Sequence, residues 1–108
     1  MAQLTEIVTG SKEYIRVSVC ATKSGVAYDP TSDAVNFAFT DAEDADHPGA
    51  LSTWYAGDWE TVAGVHYAQL LVNNTNGWAP THGDYAAFIK ITDNPETPVK
   101  YVGIVKVR

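Results

Sequence analysis

From Gly83 to Val107 the chain reads GDYAAFIKITDNPETPVKYVGIVKV, two stretches of two-residue alternation on either side of a Pro-rich turn. In the first stretch Tyr85, Ala87, Ile89 and Ile91 share one face. In the second, Val102, Ile104 and Lys106 oppose Tyr101, Gly103, Val105 and Val107. A period of two belongs to a strand with one face in a core, whereas a helix repeats about every 3.6 residues. An antiparallel pair by itself is barely stable in water, so these two strands require further strands to cover them.

The same period recurs upstream. Ile15, Val17 and Val19 alternate with Arg16 and Ser18, and Val35, Phe37 and Phe39 alternate with Asn36 and outward Thr40. Segments 52–55 and 58–62 are short aromatic strands around Gly57, expected as a hairpin, and 65–72 is a stronger strand that becomes apolar on both faces toward its end. Turn signals separate them: 22–25, the Asp29-Pro30 run, the acidic stretch Asp41 to Gly49 with Pro48, and 73–80 with its Asn-Gly, expected as a long hairpin loop. About seven short strands without a ten-residue helical stripe predict an all-β, antiparallel β-sandwich. The Gly83-x-Tyr85 entrance resembles the tyrosine corner that opens the penultimate strand of an immunoglobulin-like sandwich, which narrows the expectation to that fold. Residues 1–12 are expected as an N-terminal arm and 13–108 as one sandwich domain.

Thirteen acids against seven Lys and Arg give a net charge of −6, which argues against nucleic acid, because phosphate contacts require clustered cations. No Lys or Arg occurs between Ser24 and Ile89, where nine of the acids fall. If the first and last strands are neighbours, Lys12, Arg16, Lys100, Lys106 and Arg108 gather on one side, a face able to meet an acidic protein surface. A lone Cys20 excludes an internal disulfide and points to cytosolic synthesis. There is no signal-peptide pattern and no run of the roughly 20 apolar residues that span a bilayer, so no membrane partner is expected.

Chemistry-bearing patterns are sparse. His47, His66 and His82 lack partners at ligand spacing, so no metal or other cofactor is expected. Cys20 ends a regular strand and reads as a packing residue; no nucleophile elbow, phosphate loop or dinucleotide fingerprint occurs. The Asp41 to Asp46 acids read as a solvated loop, and acids there lack the burial that a general acid needs. Trp59 reads as a core residue. Trp78, at the tip of an Asn-rich loop, either folds back on the domain or anchors a contact. Asn73-Asn74-Thr75 matches a glycosylation acceptor, but without a secretion signal it carries no weight.

Five segments in order carry a family resemblance: Glu13-Tyr14-Ile15-Arg16-Val17, Gly25-Val26-Ala27-Tyr28-Asp29-Pro30-Thr31, Val35-Asn36-Phe37-Ala38-Phe39, Gly57-Asp58-Trp59-Glu60-Thr61 and Lys90-Ile91-Thr92-Asp93-Asn94-Pro95-Glu96. Together they resemble small immunoglobulin-like virion structural proteins of tailed phages and prophages of high-GC Gram-positive hosts, encoded among head and head-tail genes. Phe88 stands where many relatives carry Trp. The resemblance covers most of Glu13 to Val107 and implies a non-enzymatic protein made in the bacterial cytoplasm and incorporated in the virion in many copies. Its partners would be phage capsid or neck proteins, met as a head decoration, minor capsid protein or head-tail connector component.

The candidate docking surface is therefore Lys12, Arg16, Trp78, Lys100, Lys106 and Arg108, presented by the first and last strands as edges with the N-terminal arm. A tail or baseplate component is the alternative within the virion. A carbohydrate-binding module, with Trp54, Tyr55 and Trp78 as its stacking platform, is the alternative from a different class.

Overall fold

The computed structural model describes residues 3–19, 21–23, 26–28, 31, 33–42, 53–73, 77–92 and 99–108. Ten strands run through them: β1 (Gln3–Ile7), β2 (Tyr14–Val19), β3 (Ala21–Lys23), β4 (Val26–Tyr28), β5 (Ala34–Asp41), β6 (Tyr55–Ala56), β7 (Asp58–Val62), β8 (Val65–Leu71), β9 (Gly83–Thr92) and β10 (Val99–Val107). No α-helix occurs among them. Five strands form one sheet in the order β1-β10-β9-β5-β6, three form a second in the order β2-β8-β7, and β3-β4 is a separate hairpin. The protein is an all-β sandwich, as the alternation predicts.

The core lies between the two larger sheets. Val35 and Phe37 of β5, Ala87 and Ile89 of β9 and Val105 and Val107 of β10 enter it from the five-stranded sheet. Ile15 of β2 and Ala68 and Leu70 of β8 enter from the other, with Val72 just beyond. These are the inward positions of the alternating runs, so burial follows the two-residue period read from the sequence. Trp59 packs against this core, and its indole N–H donates to the Asp33 carbonyl at 2.8 Å.

Three connections differ from the sequence expectation. The segment 1–12 expected as an arm contributes β1, which pairs in parallel with β10 from Gln3 opposite Ile104 to Ile7 opposite Val107. Its alternation is short and polar, and its buried residue, Ile7, gains a core only by pairing with a strand about a hundred residues away. Tyr55–Ala56 and Asp58–Val62 are not a hairpin: β6 pairs with β5 in the larger sheet and β7 pairs with β8 in the smaller. The chain changes sheet at Gly57, whose N–H donates to the Val35 carbonyl at 2.9 Å. Likewise 73–80 joins β8 to β9 in the opposite sheet, so it is a crossover between layers. Apolar period reports burial on a face but not which sheet a strand joins, and both errors have that origin.

The real tight hairpin is β7–β8, closed by Ala63 and Gly64 at φ 51° and 80°. Two successive positive φ values are those of a type I′ turn, which favours Asn-Gly and strains Ala at the first position. Ala63→Asn should therefore raise stability by about 0.5–1 kcal/mol, read as a higher urea midpoint at unchanged slope.

At the other end of the sandwich, the Tyr85 hydroxyl donates to the Thr81 carbonyl at 3.0 Å, closing the corner that Gly83-x-Tyr85 announces. Asn73, at φ 61°, turns the chain out of β8; its N–H reaches the Trp78 carbonyl and its side-chain amide the Ser11 carbonyl. These bonds draw the crossover down over the core end.

Candidate docking surface

The six residues expected to form one docking surface are distributed over both sheets. Arg16 lies on the outer face of the three-stranded sheet, because Ile15 and Val17 take the inward positions of β2. Its guanidinium pairs with Glu60 at 2.9 Å and donates from Nε to Gln69 Oε1 at 2.9 Å, and it lies 5.5 Å from the Tyr14 ring centroid. Lys12 is exposed in the loop before β2. Lys100 and Lys106 are on β10 in the other sheet, and Arg108 follows, ion-paired with Glu6 of β1. The expected gathering fails because the neighbour of β10 is β1, not β2. β10 is also interior to its sheet, so it is not the free edge that the sequence reading assigned to the last strand.

Trp78 is folded back and only 7% exposed. Its ring stacks on Phe39 at 3.5 Å between centroids with 4° between planes, and meets Tyr85 edge-on at 5.2 Å. It caps the core and cannot serve as an anchor. Tyr55 likewise turns inward, packed on the core beside Phe39. With two of its three rings inside the fold, the stacking platform of Trp54, Tyr55 and Trp78 is not assembled. Cys20, His47, the acidic loop from Glu43 onward and the Asn74-Thr75 pair lie outside the described residues.

A surface that sequence reasoning missed is the outer face of the five-stranded sheet. The registers set Ala38 of β5 opposite Phe88 of β9, and Phe88 opposite Tyr101 of β10. Trp54 directly precedes Tyr55, the partner of Phe37, and so extends this row on the β6 side. Phe88 is 3% exposed, with the Tyr101 ring at 5.5 Å, whereas Tyr101 and Val99 stand 41% and 45% exposed. One row along, Lys90 places its ammonium 4.4 Å over the Trp54 ring, a cation–π contact that orders both side chains. The face thus combines partly exposed aromatic groups with the ammonium of Lys90; Lys100, opposite the core-facing Ile89, is exposed on the other side of β10 from Val99 and Tyr101. Exposed aromatic rings of this kind are enriched in protein interfaces, whose accessible rim is polar. The signal was present in the sequence as Ala86, Phe88 and Lys90 alternating with the core residues. It was passed over because one apolar face suffices to explain a strand.

Mixed charge at the other end of this face tempers it: Lys106 sits between Glu6 and Asp84 in register. An open depression of about 300 Å³ nearby is lined by Asp41, Ala42, His82, Gly83, Asp84 and Tyr85. Among the described residues no three His, Cys, Asp or Glu side chains are placed to hold a metal ion, and no helix is long and apolar enough to cross a membrane. No family model, curated protein or solved structure matches the chain.

Proposed function

We propose that this chain is a non-enzymatic structural protein of a tailed-phage virion, an immunoglobulin-like module attached to the head as a capsid decoration, minor capsid protein or neck component. The immunoglobulin-like assignment is supported by the strand order, with β2-β8-β7 in one sheet, β10-β9-β5 in the other and β1 running parallel to β10, and by the Tyr85 corner. The virion assignment rests on the resemblance carried by five ordered segments, which fall on β2, β4, β5, β7 and the end of β9.

The observation that carries the docking role is the outer face of the five-stranded sheet, where Trp54, Lys90, Tyr101 and Val99 present rings and an ammonium together. A rigid sheet face loses little conformational entropy on contact, and weak contacts repeated by many copies on a lattice sum to durable attachment. The partner surface would be acidic, matching Lys90. A tail or baseplate position uses the same face and differs only in the partner.

Quantitative mass spectrometry of purified particles, with heads and tails separated, tests both levels. The protein should appear with the heads in many copies, and Lys90→Glu should lower its occupancy severalfold at low salt, less so at high salt. Recovery with tails supports the baseplate position. Recovery only in the infected-cell lysate defeats the virion assignment, and unchanged occupancy of the charge-reversed protein defeats the docking face.

A further inference from the structure

Each large sheet ends in two edge strands, and three of the four carry features that discourage pairing with another chain. β1 breaks its register between Gln3 and Thr5, β6 is two residues long, and β7 holds Asp58 and Glu60 within five residues. β2 has none of these. Its six residues pair one for one with β8, from Tyr14 opposite Leu71 to Val19 opposite His66, without Pro, Gly or bulge. Among the described residues no strand pairs with its other side. Its one charge, Arg16, is turned onto its own sheet by Glu60 and Gln69. The inward Val17 and Val19 are only half-buried, so the apolar layer of the core is open along this edge.

The backbone direction follows from one bond. The N–H of Val72 donates to the Glu13 carbonyl at 2.8 Å, which makes Glu13 and Val72 a hydrogen-bonded pair of the antiparallel ladder. Such pairs alternate, so Ile15, Val17 and Val19 direct their amide groups to β8. Tyr14, Arg16 and Ser18 direct theirs outward.

We propose that β2 is a self-association edge, pairing antiparallel with β2 of a second copy about a two-fold axis through Val17. In that register Arg16 of each copy faces Ser18 of the other, and each Arg16–Ser18 pair exchanges its two backbone bonds. Val17 meets Val17 and Ile15 meets Val19 on the inner side, so two three-stranded sheets become one continuous sheet and the open apolar layers close on each other. Shifting by a single residue sets inner side chains against outer ones. The register centred on Arg16 opposes two guanidinium groups, and the one centred on Ile15 runs past the start of the strand. A second copy thus meets this edge with apolar side chains against apolar ones and no like charges directly opposed.

Sedimentation of the purified full chain over a roughly hundredfold range of concentration tests this. The wild type should show a monomer–dimer equilibrium. Ser18→Pro removes an outward N–H that the fold itself does not use, and should give a folded monomer with unchanged circular dichroism. Ser18→Lys, opposite Arg16, should weaken the dimer about tenfold, and Ser18→Glu should tighten it severalfold. These two surface changes keep the test valid if the proline variant fails to fold. A wild type that remains monomeric throughout overturns the proposal, as does a dimer indifferent to Ser18→Lys and Ser18→Glu.

Discussion

Trp78→Ala should cost about 3–5 kcal/mol of folding stability, a large fraction of the roughly 5–15 kcal/mol that holds a domain of this size together. The indole is 7% exposed, lies flat against Phe39 and receives the edge of Tyr85, so truncation opens a void bordered by two rings that each lose a packing face. The backbone bond from the Asn73 N–H to the carbonyl of residue 78 needs no side chain, so the cost is that of the lost ring packing. Chemical denaturation should show a much lower midpoint. Trp78→Phe retains a flat ring over Phe39 and should lose only about 1–2 kcal/mol. A role as a surface anchor would give the opposite pattern, with Trp78→Ala as stable as the wild type and defective only in attachment.

Gly57→Ala should cost about 2–3 kcal/mol, although the change adds a single methyl group. A Cβ at this position would lie 2.8 Å from the Gln69 carbonyl oxygen and 2.8 Å from Cε1 of Phe37. Neither neighbour is free to retreat. The carbonyl belongs to the central strand of the three-stranded sheet, and Phe37 is fully buried in the middle of the core. Gly57 is where the chain leaves one sheet for the other, so relief of the clash would have to displace β6 from β5 or β7 from β8. A near-neutral result in urea denaturation would show that this corner yields and that the two sheets are less tightly coupled than their contact implies.

Much of this sandwich is legible in the sequence because its strands alternate. Val35 and Phe37, Ile89 and Val105 are buried where the period puts them, and the Gly83-x-Tyr85 spacing marks a corner whose hydroxyl bond is present. What the period does not encode is partnership. β1 reads as an arm since it is short and polar, and nothing local in Gln3–Ile7 announces a parallel partner about a hundred residues away. The turns at 57 and 73–80 read as hairpins because a turn signal records a change of direction and not a change of layer.

The candidate surface was legible only in part. The cations were correctly located along the chain, but their grouping depended on β2 and β10 sharing a sheet, which they do not. Trp78 looked like a loop-tip ring because its neighbours are polar, while the partners that bury it, Phe39 and Tyr85, are distant or lie beyond a turn. The row from Trp54 to Tyr101 depends on registers between four strands, information that no single stretch of residues contains.

The parallel pairing of β1 with β10 has a consequence for biosynthesis. Thr9 donates to the Arg108 carbonyl and Arg108 donates to the Ile7 carbonyl, so β1 is locked by backbone about a hundred residues downstream. During elongation β1 has no complement, and Ile7 must wait in water until the residues of β10 have left the ribosome. β1 therefore joins the fold late, and loss of the residues from Val105 to Arg108 would unfasten it first.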